Sequence, residues 1–228
     1  MTNYLRALRT RLGSTPLPQP EEITPIPNLL GDRDLEWTYV AARIGRHAGS
    51  DSQVLDFGCG IGVLSLAAAS LGATVLAIDL MPQQFETGYP NLEFRHADVA
   101  TLDATREQFD LIINCSTIEH VGLSGRYNSI EAPDGDLEAM AKMRQLLKPG
   151  GTMLLTLPIG NDDVIRPLHR VYGPERLPRL LAGYRALESS FWRKDQRNVW
   201  LPCSSEQAMA QVGSDHYYGL GAMVLQLA

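Results

Sequence analysis

A chain of 228 residues, 44% apolar and 20% charged, fits a single domain and excludes wholesale disorder. Its net charge of −6 argues against nucleic acid as the main partner, because phosphate binding needs a basic surface. Three cysteines, Cys59, Cys115 and Cys203, make no metal-binding spacing and no disulfide framework, which points to the reducing cytoplasm, and no stretch approaches the ~20 apolar residues of a membrane span.

In chain order, residues 1–12 can form a short amphipathic helix with Tyr4, Leu5, Leu8 and Leu12 on one side. Pro16, Pro18, Pro20, Pro25 and Pro27 then make an extended arm, so residues 1–31 read as an N-terminal helix and arm. They allow a homodimer and give no more than that hint. Helical spacing runs from Asp32 or Asp34 to about His47. Strands are predicted over Val54–Phe57, Val75–Ile78, Leu92–Phe94, Phe109–Ile113 and Thr152–Leu157, with helices at Val63–Leu71 and Leu137–Leu147. Gly173–Leu181 looks helical, and Arg185–Trp192 and Leu220–Leu227 look like two last strands. This alternation predicts an α/β fold: a single Rossmann-like domain over 32–228, its seven-stranded, mostly parallel sheet covered by helices on both faces. Segments 122–136 and 159–172 are expected as loops at the carboxyl ends of strands, where doubly wound sheets bind ligands.

The most informative element is Val54-Leu55-Asp56-Phe57-Gly58-Cys59-Gly60-Ile61-Gly62. A strand that turns at once into a helix needs glycines where φ is positive or a ligand comes close. Asp56 can accept from a ligand ammonium. Asp79 ends the next strand about 20 residues on, the distance at which a carboxylate meets ribose hydroxyls. Leu80 and Met81 follow it and can pack on an adenine face. The glycine spacing differs from the G-x-G-x-x-G of dinucleotide sites, and residue 63 is Val, so a pyrophosphate is poorly served.

Asp56-x-Gly58-x-Gly60-x-Gly62 resembles motif I of the class I S-adenosylmethionine-dependent methyltransferases. The resemblance covers roughly residues 35–160. It implies S-adenosylmethionine as cofactor, with Asp56, Gly58, Gly60 and Gly62 at the methionine end. Asp79 would hold the ribose, Asp98 and Val99 the adenine, and Ser116 would stand beside the cofactor. The run from Ser116 to Leu177 is similar to a narrower branch, catalogued as a domain of unknown function, that resembles mycobacterial sugar (methylmannoside) O-methyltransferases. That tilts the acceptor toward a saccharide hydroxyl.

On the acceptor side, loops at about 116–136 and 159–178 carry the polar groups. Methyl transfer to oxygen needs a proton removed, and an imidazole titrating near neutrality suits the task. His120 is the leading base, His169 the second choice, and Glu119 joins them as a catalytic candidate; histidine packing against the cofactor is the competing role. Glu119, Asp134 and Asp136 can supply oxygens for Mg²⁺, while capping of the helix beginning at Leu137 competes for the two aspartates. Arg170 and Tyr172 are expected to orient the acceptor. Trp192, Trp200, Tyr217 and Tyr218 offer stacking surfaces for a sugar ring, or core. Other classes stay open: an N- or C-methyltransferase of another metabolite, or a non-catalytic cofactor-binding module.

Overall fold

The computed structural model describes residues 33–83, 88–125, 127, 129–196, 199–214 and 218–228. The N-terminal helix and proline arm lie outside them, as do Tyr217 and His216.

Helix α1, Arg33–His47, opens with Asp34 and Glu36 and closes with Arg46 and His47, charges that suit the helix dipole at both ends. Strand β1 (Gln53–Phe57) leads into α2 (Val63–Ser70), then β2 (Thr74–Asp79), β3 (Leu92–His96) and β4 (Phe109–Cys115). Helix α3 (Gly135–Leu146) precedes the long strand β5 (Leu147–Ile159). A small hairpin follows, β6 (Asp163–Ile165) and β7 (His169–Val171), then α4 (Arg176–Leu180). The chain ends with β8 (Tyr184–Lys194), β9 (Trp200–Cys203), α5 (Ser205–Met209) and β10 (Gly219–Leu227).

The main sheet runs β3-β2-β1-β4-β5-β10-β8-β9. Its first five strands are parallel and the last three alternate antiparallel. Strand order reverses between β1 and β4, which opens a crevice at their carboxyl ends.

Inward alternation builds two cores. Val54, Leu111, Ile113 and Leu154 face α1 and α2, meeting Val40, Ile44, Leu64 and Ala68. Leu55, Phe57, Ile112, Met153 and Leu155 face the other way, onto Met140, Met143 and Leu146 of α3 and Leu177 and Leu180 of α4. Both faces of each central strand are therefore apolar, as parallel strands between helix layers require.

Three features differ from expectation. The main sheet has eight described strands, because Trp200–Cys203 pairs antiparallel along the outer edge of β8. The connection expected as a loop over 159–172 contains the β6–β7 hairpin. Strand β5 begins at Leu147, ahead of the predicted start at Thr152, and takes in Pro149-Gly150-Gly151, with a register shift against β4 and Gly150 at φ 82°.

Candidate functional site

The glycine turn lies on the crevice floor. Gly58, Gly60 and Gly62 have φ of 69°, 52° and 76°, all in the region that disfavours side chains. A Cβ at Gly58 would run into the Thr117 side chain, so the turn fits under the end of β4 only as glycine. Gly60 faces open space instead. Its N–H donates to Asp79 Oδ2 at 2.9 Å, and the Met81 N–H donates to Oδ1 at 2.7 Å. Asp79 thus ties the turn to the end of β2 and still offers lone pairs to a diol.

One cavity of about 460 Å³ occupies the crevice. Asp56, Gly58, Gly60, Asp79, Leu80, Asp98, Val99, Ser116 and His120 line it together. Asp98 caps the turn at Val99–Thr101 through Oδ1, which accepts the Ala100 N–H at 2.9 Å; among the described residues Oδ2 is left for a donor such as an exocyclic amine. Gly62 and Met81 are not among the lining residues. Gly62 starts α2 as its N-cap, and Met81 contributes its backbone to Asp79.

Asp56 is buried, and its Oδ2 accepts the Ser65 hydroxyl at 2.5 Å. Burial pushes its carboxyl up to about 6. The affinity of a ligand ammonium at this position should therefore fall as pH drops through 6, because protonated Asp56 carries no charge to meet it. Calorimetry with S-adenosylmethionine should show Kd rising about tenfold per pH unit below that point. A flat profile from pH 7.5 to 5 would remove Asp56 as the partner.

Ser116 follows β4 with φ 52°, an uncommon conformation for a residue with a side chain. Its hydroxyl donates to Glu119 Oε1 at 2.8 Å. Glu119 is fully buried behind this wall, outside the lining of the cavity, and burial raises its carboxyl. It cannot touch a substrate, contrary to the catalytic and metal roles expected for it. Its Oε1 stands 3.7 Å from His120 Nε2, close enough to stabilise an imidazolium there. His120 Nδ1 lies 2.6 Å from the Leu168 carbonyl, which can only accept. That contact assigns the proton to Nδ1, so that Nε2 carries the ring's lone pair. His169 is buried, its ring 6.5 Å from that of His120, and does not line the cavity.

Arg170 and Tyr172 must be corrected. Both are fully buried and face inward. Arg170 donates to the carbonyls of Val121, Ala132 and Pro133, and Tyr172 donates to Asp136 Oδ2 at 3.0 Å. Neither has a group left for an acceptor. Asp136, also buried, takes a bidentate pair from Arg176 at 2.9 and 2.5 Å, with Arg170 Nε 3.8 Å away. Asp134 precedes α3 in the N-cap position without a side-chain cap; its carboxylate meets Arg176 and Arg179 at 3.3 and 3.4 Å. Of the expected Mg²⁺ ligands, Asp134 and Asp136 are therefore engaged by arginine and Glu119 by Ser116. No group of three or more His, Cys, Asp or Glu side chains able to hold a metal assembles among the described residues.

Of the expected sugar-stacking aromatics, Trp192, Trp200 and Tyr218 do not line the cavity. Trp192 meets Tyr39 edge-on at 6.1 Å, and the buried Lys194 amine lies over the rings of Trp200 and Tyr218 at 4.7 and 5.5 Å.

The cavity also gathers residues that the sequence did not single out: Arg33 and Trp37 from α1, and Tyr127 and Ser129 from the loop after His120. Tyr127 stands 4.8 Å from the His120 ring. Arg33 rests 5.8 Å from the Trp37 ring centroid and makes no hydrogen bond or ion pair among the described residues. No local motif marks these positions. Arg33 and Trp37 reach the site because α1 packs beside β4 and β5.

The strand order and the crevice ringed by the glycine turn, Asp79 and Asp98 define the class of fold: a Rossmann-like methyltransferase fold. The Burkholderia thailandensis 1,6-didemethyltoxoflavin-N1-methyltransferase, solved with S-adenosylhomocysteine, matches 86% of this chain and 82% of its own at TM-score 0.55 and 20% identity. The N-methyltransferase NodS of Bradyrhizobium japonicum, also solved with S-adenosylhomocysteine, matches 86% and 87% at TM-score 0.54 and 18% identity. Residues 63–220 match the family described as "Caenorhabditis protein of unknown function, DUF268", and the chain belongs to that family. Among curated relatives, a ubiquinone biosynthesis O-methyltransferase of Xanthomonas campestris is 33% identical over 171 residues, 72% of this chain and 64% of its own. One from Dinoroseobacter shibae is 32% identical over 127 residues, 50% and 46% respectively. The chain spans about half the length of the curated relatives it matches. No described helix is long and apolar enough to cross a membrane.

Proposed function

We propose that this chain transfers a methyl group from S-adenosylmethionine to a hydroxyl of a small polar acceptor. The observation that carries this reading is the single cavity in which Asp56, the glycine turn, Asp79, Asp98 and His120 face one another. Once bound, the cofactor supplies an electrophilic methyl carbon on its sulfonium. Asp56 accepts the ammonium of the methionine end, and Arg33, which makes no ion pair among the described residues, pairs with its carboxylate. Asp79 receives the ribose hydroxyls and Asp98 Oδ2 the adenine amine. His120 Nε2 takes the acceptor proton as the oxygen attacks, with Glu119 Oε1, 3.7 Å from that same nitrogen, stabilising the imidazolium. Holding both reactants in line is the main contribution of the protein, since a displacement at sulfonium methyl needs no covalent intermediate.

Oxygen as the accepting atom is supported by the O-methyltransferase names of the curated relatives. A saccharide hydroxyl rests on the sequence resemblance alone. Titration of the chain with S-adenosylmethionine tests the cofactor assignment. Binding is expected, with Arg33→Ala weakening it about tenfold through loss of one charge-assisted pair. No binding by the wild-type chain would end the reading, and an unaffected variant would free Arg33 for another role. Methyl transfer from labelled cofactor to a panel of saccharides and phenols then identifies the acceptor.

A further inference from the structure

Beyond the cavity wall, the loop after His120 meets the β6–β7 hairpin at an ion pair. Arg166 Nη1 lies 2.7 Å from Glu131 Oε1. The other carboxylate oxygen accepts the Ser124 N–H at 3.1 Å and the Ser124 hydroxyl at 2.9 Å. Gly125 passes so close that a Cβ on it would stand 3.4 Å from Pro167. The next residue is Leu168, whose carbonyl fixes His120 Nδ1. On the loop side, the Ala132 N–H donates to the Gly122 carbonyl at 3.0 Å, and the Gly122 N–H donates to the Ser129 hydroxyl at 2.9 Å. Ser129 lines the cavity. These contacts close a ring from His120 through Leu168, Arg166, Glu131, Ala132 and Gly122 back to His120.

We propose that the Arg166–Glu131 ion pair is a positioning device for the acceptor end of the cavity. It fixes where the Leu168 carbonyl stands, and so the tautomer and tilt with which His120 presents Nε2. The inference rests on His120 as the base. Neither charge is among the residues lining the cavity, so the pair acts through the hairpin and not on the reactants.

The side chains of Arg166 and Glu131 are 57% and 40% exposed. A pair this wet adds little to folding stability, and its attraction weakens with salt. The Ser124 backbone and hydroxyl, with Arg166, hold the Glu131 carboxyl near 2, so it stays ionised over any working pH. Ionic strength is the lever on this pair; pH is not.

Histidine side-chain ¹⁵N NMR of the full chain tests the inference without needing an acceptor. In the wild type, His120 should show the single Nδ1–H tautomer. Arg166→Gln and Glu131→Gln should each lose that single pattern, with melting temperature and S-adenosylmethionine affinity unchanged. Arg166→Lys should keep it, and high salt should move the wild type toward the glutamine variants. The double glutamine variant should look like either single one, because both remove the same contact. Wild-type tautomer in either glutamine variant would overturn the proposal, as would loss of cofactor affinity in step with the tautomer. Turnover is a separate readout: if His120→Ala stays fully active, the base assignment falls, while the tautomer data still judge the ion pair.

Discussion

Replacing His120 by alanine should cut turnover about 10²–10⁴-fold and leave the affinity for S-adenosylmethionine unchanged. The magnitude is that of a removed general base. The selectivity follows from geometry, because the groups assigned to the cofactor come from α1, β1, the glycine turn, β2 and the turn at Val99–Thr101, while His120 is held by the Leu168 carbonyl. Binding by calorimetry and single-turnover transfer, measured on the same preparation, separate the two effects. An alanine variant that keeps wild-type turnover would favour nitrogen or carbon as the accepting atom, since neither needs a base at this position. A fall in affinity matching the fall in rate would recast His120 as a cofactor-packing residue.

The second large effect is on stability. Asp136→Ala should cost about 3–5 kcal/mol, because it strands the buried Arg170 guanidinium and breaks the bidentate pair with Arg176. For a chain of this size that corresponds to a fall in melting temperature of roughly 6–20 °C. Asp134→Ala is the control. Its carboxylate is more than half exposed and its pairs with Arg176 and Arg179 are longer, so the change should stay within about 1 kcal/mol. Equal melting temperatures for the two variants would show that Asp136 does not anchor the loop. The Asp136 network also explains why the acceptor loop keeps its place: Arg170 and Arg176 reach the carbonyls of Val121, Ala132 and Pro133 from the strand and helix that follow β5.

The glycine-turn end of the crevice was legible because its determinants are local. A strand, a sharp glycine turn and a helix occupy consecutive residues, and Asp79 follows by one βαβ step. The apolar runs that became β1, β2 and β4 are buried on both faces, so their strand character survives any detail of packing. The acceptor end was read less well. Glu119, Asp136, Arg170 and Tyr172 are the residue types that bind metals and sugars, yet Glu119 is buried against the nearby Ser116 and the other three against partners from another segment. A polar side chain looks the same in sequence whether it faces a cavity or an arginine from 40 residues away. Arg33 and Trp37 show the converse, as nothing local distinguishes them from other polar and aromatic residues of an amphipathic helix.

Pattern and turn chemistry along the chain alone determined the α/β alternation, the glycine bend under β1 and the acids that end successive strands. These are short-range consequences of backbone freedom and apolar periodicity. The packing of α1, the hairpin after β5 and the arginine-bound Asp136 decided which polar groups see the cavity. That choice depends on burial and on partners distant in sequence, which only the assembled sheet brings within hydrogen-bonding reach.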